Sequence, residues 1–228
     1  MDVEPVPLLQ LPLFVYGESI TEVVELFPAV WKATEALASP DSTTRHRGMD
    51  ALLDVGAQRV SPLVATMIAT CLNDPDIFIR RRVVYILADI LVGEQNGRRT
   101  EDEVRKVVTY ILSRMNETTI LGLLEVSVTD EQSDRAIFQL LNMCPYAGKH
   151  LGEIVSEWKH QVPIRQKAAY FIGMVGYLEA LPILERIYNR MEARQNGQYL
   201  MDFAPASTKS DDALLPYLRV AIAQLTAN

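Results

Sequence analysis

The sequence predicts an all-α fold: a right-handed α-solenoid, or superhelix, of about four to five helix pairs stacked in single file. Three observations point there. A block near the N-terminus recurs, without a gap, 120 positions later. Apolar residues recur every three to four positions through most of the chain, the period of a helix with one buried face. No long run alternates apolar and polar residues, and the most strand-like piece, "PLLQLPLFVY", is broken by proline.

Residues 1–18 are apolar, acidic and proline-rich, and read as an extended arm ahead of one repeat domain over 19–228. Helices are expected at 19–38, with a bend at Pro28, and at 42–55. In 62–72, Ser61 is placed to cap, Pro62 suits the first helical position, and Val64, Ile68 and Cys71 share a face. Ile79, Val83, Ile86 and Ile90 form the stripe of a helix over 75–92. Next, Thr100 and Glu103 read as a T-x-x-E capping box. Behind them Val104, Val107, Val108, Ile111 and Met115 make a core face, and Arg105, Thr109 and Arg114 point away from it. Further helices are expected at 117–127, 130–143, 146–160, 163–175, 180–193 and 210–226. Between the last two lies a long loop, 195–209, whose apolar centre "YLMDFAP" suggests packing on a surface. Trp31 and Trp158 fall on apolar stripes and are expected as core residues.

The repeat is the strongest signal. Laid over "IRQKAAYFIGMVGYLEALPI" (164–183), the stretch "TRHRGMDALLDVGAQRVSPL" (44–63) matches Arg45 with Arg165, Leu52 with Ile172, Val55 with Val175, Gly56 with Gly176 and Pro62 with Pro182. "IRRRVVYILADI", from Ile79, begins a third copy. Each unit ends a helix, turns at a glycine, and opens the next helix at proline. One pair alone cannot cover both of its apolar sides, so stacking supplies the core.

"NDPDIFIRRRVVYILADIL", "RHRGMDALLDVGAQRVSPLV" and "PIRQKAAYFIGMVGYLEALPIL" resemble the HEAT repeat, in the HEAT-like variety named after phycobilisome lyases. The resemblance covers roughly 41–115 and 161–193; over 116–160 the glycine and proline marks are missing. It implies that Asp76 and Arg80 are the acid and arginine that link neighbouring repeats. It implies a fold, and function is argued from the residues themselves.

Composition narrows the function. Hydrophobic residues are 49% of the chain, enough for a globular core. The net charge is −7, and no segment is strongly basic: residues 41–115, the richest, hold eleven Lys and Arg against ten acids. That balance argues against nucleic acid as a partner. No apolar run approaches the roughly 20 residues that span a bilayer, so no membrane partner is expected. The N-terminus lacks the positive charge of a signal peptide, and the cytoplasm is the expected location.

Cys71 and Cys144 lack a CxxC partner and read as buried free thiols. His150 and His160 lie ten residues apart on one expected helix, so they face different ways about 15 Å apart and cannot share a metal. "GMVG" at 173–176 is accounted for by the repeat's turn glycine. Arg80, Arg81 and Arg82 fan through about 200° of helix and make no single patch. No catalytic, metal or cofactor residues are assigned.

The expected function is a non-enzymatic protein-binding or scaffold module whose partner is another protein. Its contacts would come from polar residues of the second helices: Arg105, Thr109 and Arg114 in one unit, Arg186 and Arg190 in another. Resemblance raises two alternatives. One is a HEAT-like DNA glycosylase acting on damaged DNA, which would use Trp, Asp and Arg on a positive concave face. The other is a lyase-type accessory that handles a prosthetic group.

Overall fold

The computed structural model describes residues 20–95, 98–195 and 212–227. The arm expected over 1–18 and all but the first residue of the loop expected over 195–209 lie outside these. The described residues are helical apart from turns and one short hairpin, so the chain is all-α. It divides after Val55 into two compact units.

The first unit holds α1 (Ile20–Leu37) and α2 (Ser42–Asp54), packed on each other. Pro28 lies inside α1. Val30, Ala33, Met49 and Leu52 are buried. The approach is close: a Cβ on Gly48 would meet Ala33 O, Ala36 Cβ and Leu37 N at 2.9 Å. Asp41 caps α2 by accepting from Thr44 N, and Arg45 is buried with Nη1 donating to Ser39 O and Pro40 O. Trp31, expected in the core, is 59% exposed and donates to Glu35 on its own helix. It sits next to the buried Val30, one step round the helix, at the edge of the apolar stripe.

The second unit begins at Gly56, whose φ of 70° ends the α2 turn. It holds α3 (Pro62–Thr70), α4 (Ile77–Val92), α5 (Asp102–Leu112), α6 (Glu117–Thr129), α7 (Asp134–Asn142), α8 (Ala147–Ser156), α9 (Val162–Val175), α10 (Leu181–Gln195) and α11 (Leu215–Thr226). Two rows of contacts run through it. α4 packs on α6, α6 on α9, and α9 on α11; α3 packs on α5, and α8 on α10. Cross-contacts tie the rows, α4 with α5, α6 with α8, α8 with α9, and α10 with α11. Short α7 touches α4, α6 and α9. Ile79, Val83, Leu87 and Ile90 of α4, Val104, Val108 and Leu112 of α5, and Ala168, Phe171 and Ile172 of α9 are among the fully buried residues.

Polar side chains stitch the turns to these rows. Arg80 Nη1 donates to Asp74 O at 2.8 Å and Pro75 O at 3.3 Å, and Nη2 reaches Glu125 of α6 at 2.5 Å. The acid that joins Arg80 across helices is therefore Glu125, while Asp76 caps α4 by accepting from Phe78 N. Buried Arg59 donates to Thr100 and pairs with Asp89. Buried Arg165 donates through Nε to Val155 O at 2.8 Å. Both cysteines are free and buried.

Four local expectations change. Thr100 and Glu103 form no capping box: Thr100 is buried against Arg59, and Glu101 stands at the N-cap without a side-chain bond. Residues Glu94–Gln95 (β1) and Arg98–Arg99 (β2) form a two-residue antiparallel ladder, closed by Thr100 N donating to Gly93 O. The helix expected over 130–143 begins as a 3-10 turn at Glu131–Ser133. The helix expected over 146–160 ends at Ser156, so Trp158 sits in a turn and is 88% exposed instead of buried.

Candidate functional site

α5 buries Val104, Val108 and Leu112 on one side. That leaves residues at the complementary helical spacings on the outside. Asp102, Arg105, Lys106, Thr109, Tyr110 and Ser113 line an open groove, which Leu91 and Met143 complete with apolar surface. Arg105 is held in two ways. Its guanidinium lies 3.8 Å from Asp102 and rests over the Gly93 turn, where a Cβ would meet it at 3.6 Å. Arg114 covers the Tyr110 ring, with the guanidinium carbon 4.7 Å from its centroid. Lys106 bonds Glu103 at 2.7 Å. The face thus offers cations beside an aromatic ring and a methionine.

Thr109 is half-buried in this groove, and Arg105 and Arg114 are exposed. Arg186 and Arg190 are exposed on α10, which packs on α8 and α11. A second groove there is lined by Glu185, Tyr188, Asn189, Arg219, Ile222 and Ala223, with Arg219 donating to the Tyr188 hydroxyl at 3.3 Å. Arg186 and Arg190 do not line it. Lys106, Tyr110, Tyr188 and Arg219 were not singled out by sequence. Tyr110 and Lys106 lie on the same polar arc of α5 as Arg105, so the helical period could have found them. Tyr188 and Arg219 come from different helices and meet only through the fold.

A cluster of ligating side chains lies elsewhere in this unit. Glu117 opens α6 directly after its N-cap, Asn116. His150 and Glu153 lie on α8, and Glu157 and His160 lie in the turn after it. The donor atoms of Glu117, Glu157 and His160 fall within 4.8 Å of one another, as do those of Glu117, His150 and Glu153. The end of α8 at Ser156 takes His160 out of the helix, and each histidine has a donor atom within 4.8 Å of a Glu117 carboxylate oxygen, in two separate groups that do not hold both histidines together. The Lys159 ammonium beside Glu157 holds its carboxyl below the usual carboxylate range, with His160 adding to the effect. Glu157 in turn raises the Lys159 ammonium.

No described helix is long and apolar enough to cross a membrane. No family model, curated protein or solved structure matches the chain.

Proposed function

We propose that the chain is a non-enzymatic protein-binding module built as a right-handed HEAT-like stack of about four to five helix pairs, working in the cytoplasm as a scaffold. The α5 groove is the observation that carries this reading. Arg105 and Lys106 stand beside Tyr110, Leu91 and Met143 on an open face. Such a surface suits an acidic segment with an apolar or aromatic side chain in a partner protein. Arg105, Thr109 and Arg114 make the contact, and Arg186 and Arg190 extend it along α10. Three pieces of packing support the repeat reading: the two rows of helix contacts, the glycine turns at Gly56 and Gly176, and the matching arginine contacts of Arg45 and Arg80.

The test is a double charge reversal, Arg105→Glu with Arg186→Glu. Capture of partners from an extract of the native source, quantified by mass spectrometry against the unaltered chain, falls for the proteins that use this face. Equal recovery with both chains counts against it.

One observation favours a second reading. The exposure of Trp31 and Trp158 removes one of the two arguments against a HEAT-like glycosylase acting on damaged DNA. The net charge of −7 remains the other. A gel shift with damaged duplex at low salt separates the readings: a shifted band favours the glycosylase, and its absence eliminates it.

A further inference from the structure

The end of α8 at Ser156 brings groups together that lie far apart in sequence. Glu117 of α6 meets Glu157 and His160 of the turn before α9, and His150 and Glu153 of α8. His160 Nε2 lies 3.2 Å from Glu157 Oε2, and His150 Nδ1 lies 3.4 Å from Glu153 Oε2. Zinc binds imidazole nitrogen and carboxylate oxygen at about 2.0–2.2 Å, and a tetrahedron of that size sets neighbouring donors about 3.3–3.6 Å apart. Both pairs are close to that spacing.

Burial adds a second, independent observation. The His160 side chain is only 11% exposed. Its Nε2 is buried without an aligned hydrogen bond, and it faces Glu157 Oε2, which the Lys159 ammonium holds at 2.5 Å. They are near enough to pair in charge but not aligned to bond. A buried polar atom left this way calls for a missing partner. A cation between the imidazole lone pair and the carboxylates is such a partner.

We infer that Glu117, Glu157 and His160 bind one divalent transition-metal ion of the zinc class. One imidazole nitrogen with two carboxylate oxygens suits such an ion better than calcium or magnesium, which favour all-oxygen shells. The neighbouring pair His150 and Glu153 reaches the same Glu117 and offers further donors. Lys159 is the competitor. Its ammonium lies 2.5 Å from Glu157 Oε2 and 4.0 Å from Glu117 Oε1, and its side chain is 58% exposed. It offsets one of the two carboxylate charges in the metal-free chain and swings into solvent when the ion enters. The ion joins α6 to the turn between α8 and α9. This site is independent of whether α5 binds a partner.

Zinc(II) is titrated into the purified full chain against a chromophoric chelator, with circular dichroism confirming that each variant is folded. One ion binds per chain. His160→Gln and Glu157→Gln weaken binding by roughly tenfold or more. His46→Gln, which removes the remaining histidine, leaves it unchanged. Lys159→Met, at an exposed side chain, tightens binding several-fold and keeps the question decidable if His160→Gln does not fold. The proposal is overturned if the unaltered chain binds no stoichiometric zinc, if His46→Gln weakens binding as much as His160→Gln does, or if Lys159→Met leaves the affinity where it was.

Discussion

The turns before α2 and α4 and the turn before α6 solve the same problem differently. In each, a helix starts after a capping residue and must be tied to the chain that leads into it. Four residues after the caps Asp41 and Asp76 stand Arg45 and Arg80, each donating to the carbonyls five and six residues upstream. Four residues after the cap Asn116 stands Ile120, fully buried. There the polar work is done by Thr119, which donates to Asn73 at 2.8 Å, and by Glu117, which faces the His160 cluster. One solution keeps a guanidinium inside and saturates it with carbonyls; the other makes the position greasy and moves charge to the rim. The contrast teaches that the position is set by what the neighbouring turn offers and not by the helix itself.

Four perturbations break or sharpen this contrast. Ile120→Arg has the largest effect. Ile120 is fully buried among apolar side chains, so a charge placed there lowers stability by about 4 kcal/mol or prevents folding; urea denaturation reads the loss, and a mild effect would mean the two turns are interchangeable. Arg80→Met comes next, at about 2 kcal/mol, because Asp74 O and Pro75 O lose their donor while half-exposed Glu125 returns to water. Gly176→Ala follows, at about 1 kcal/mol. Its φ is 88° and a Cβ there meets nothing within 4 Å, so the cost is purely conformational. A loss much above that would place a neighbour where none is seen.

The smallest effect is a pH dependence at Asp41. The Thr44 hydroxyl and amide donate to its carboxylate and hold it below the ordinary value of 3.8. A carboxyl lowered in the folded state adds stability above its unfolded value, and that share is lost as pH falls through the folded one. Asp41→Ala therefore destabilises the chain near about pH 6, and the gap to the unaltered chain narrows as the pH falls below 3.8 toward the lowered folded-state value. Melting curves of both chains across this range check this; a gap that persists in acid would assign the role to something other than the cap charge.

The helices were legible because their apolar residues keep the 3.6-residue period and because Ser61, Pro62 and Gly176 mark real starts and stops. The tryptophans were misread for a related reason. A stripe fixes the buried arc only to about one residue, and Trp31 and Trp158 lie just beyond it, round the helix in one case and past its end in the other. No glycine or proline announces the stop at Ser156. The polar arc of α5 could be read by subtraction, since Val104, Val108 and Leu112 define its opposite. The Glu117–His160 contact could not, because it depends on how α6, α8 and the turn between α8 and α9 settle against one another.

The carbonyls that Arg45 and Arg80 grip belong to each arginine's own upstream turn. A fastening with donor and acceptors on the same seven-residue segment travels whole when that segment is copied. Duplication can then lengthen such a chain by a working joint at once, with no need for a distant site to mutate in step.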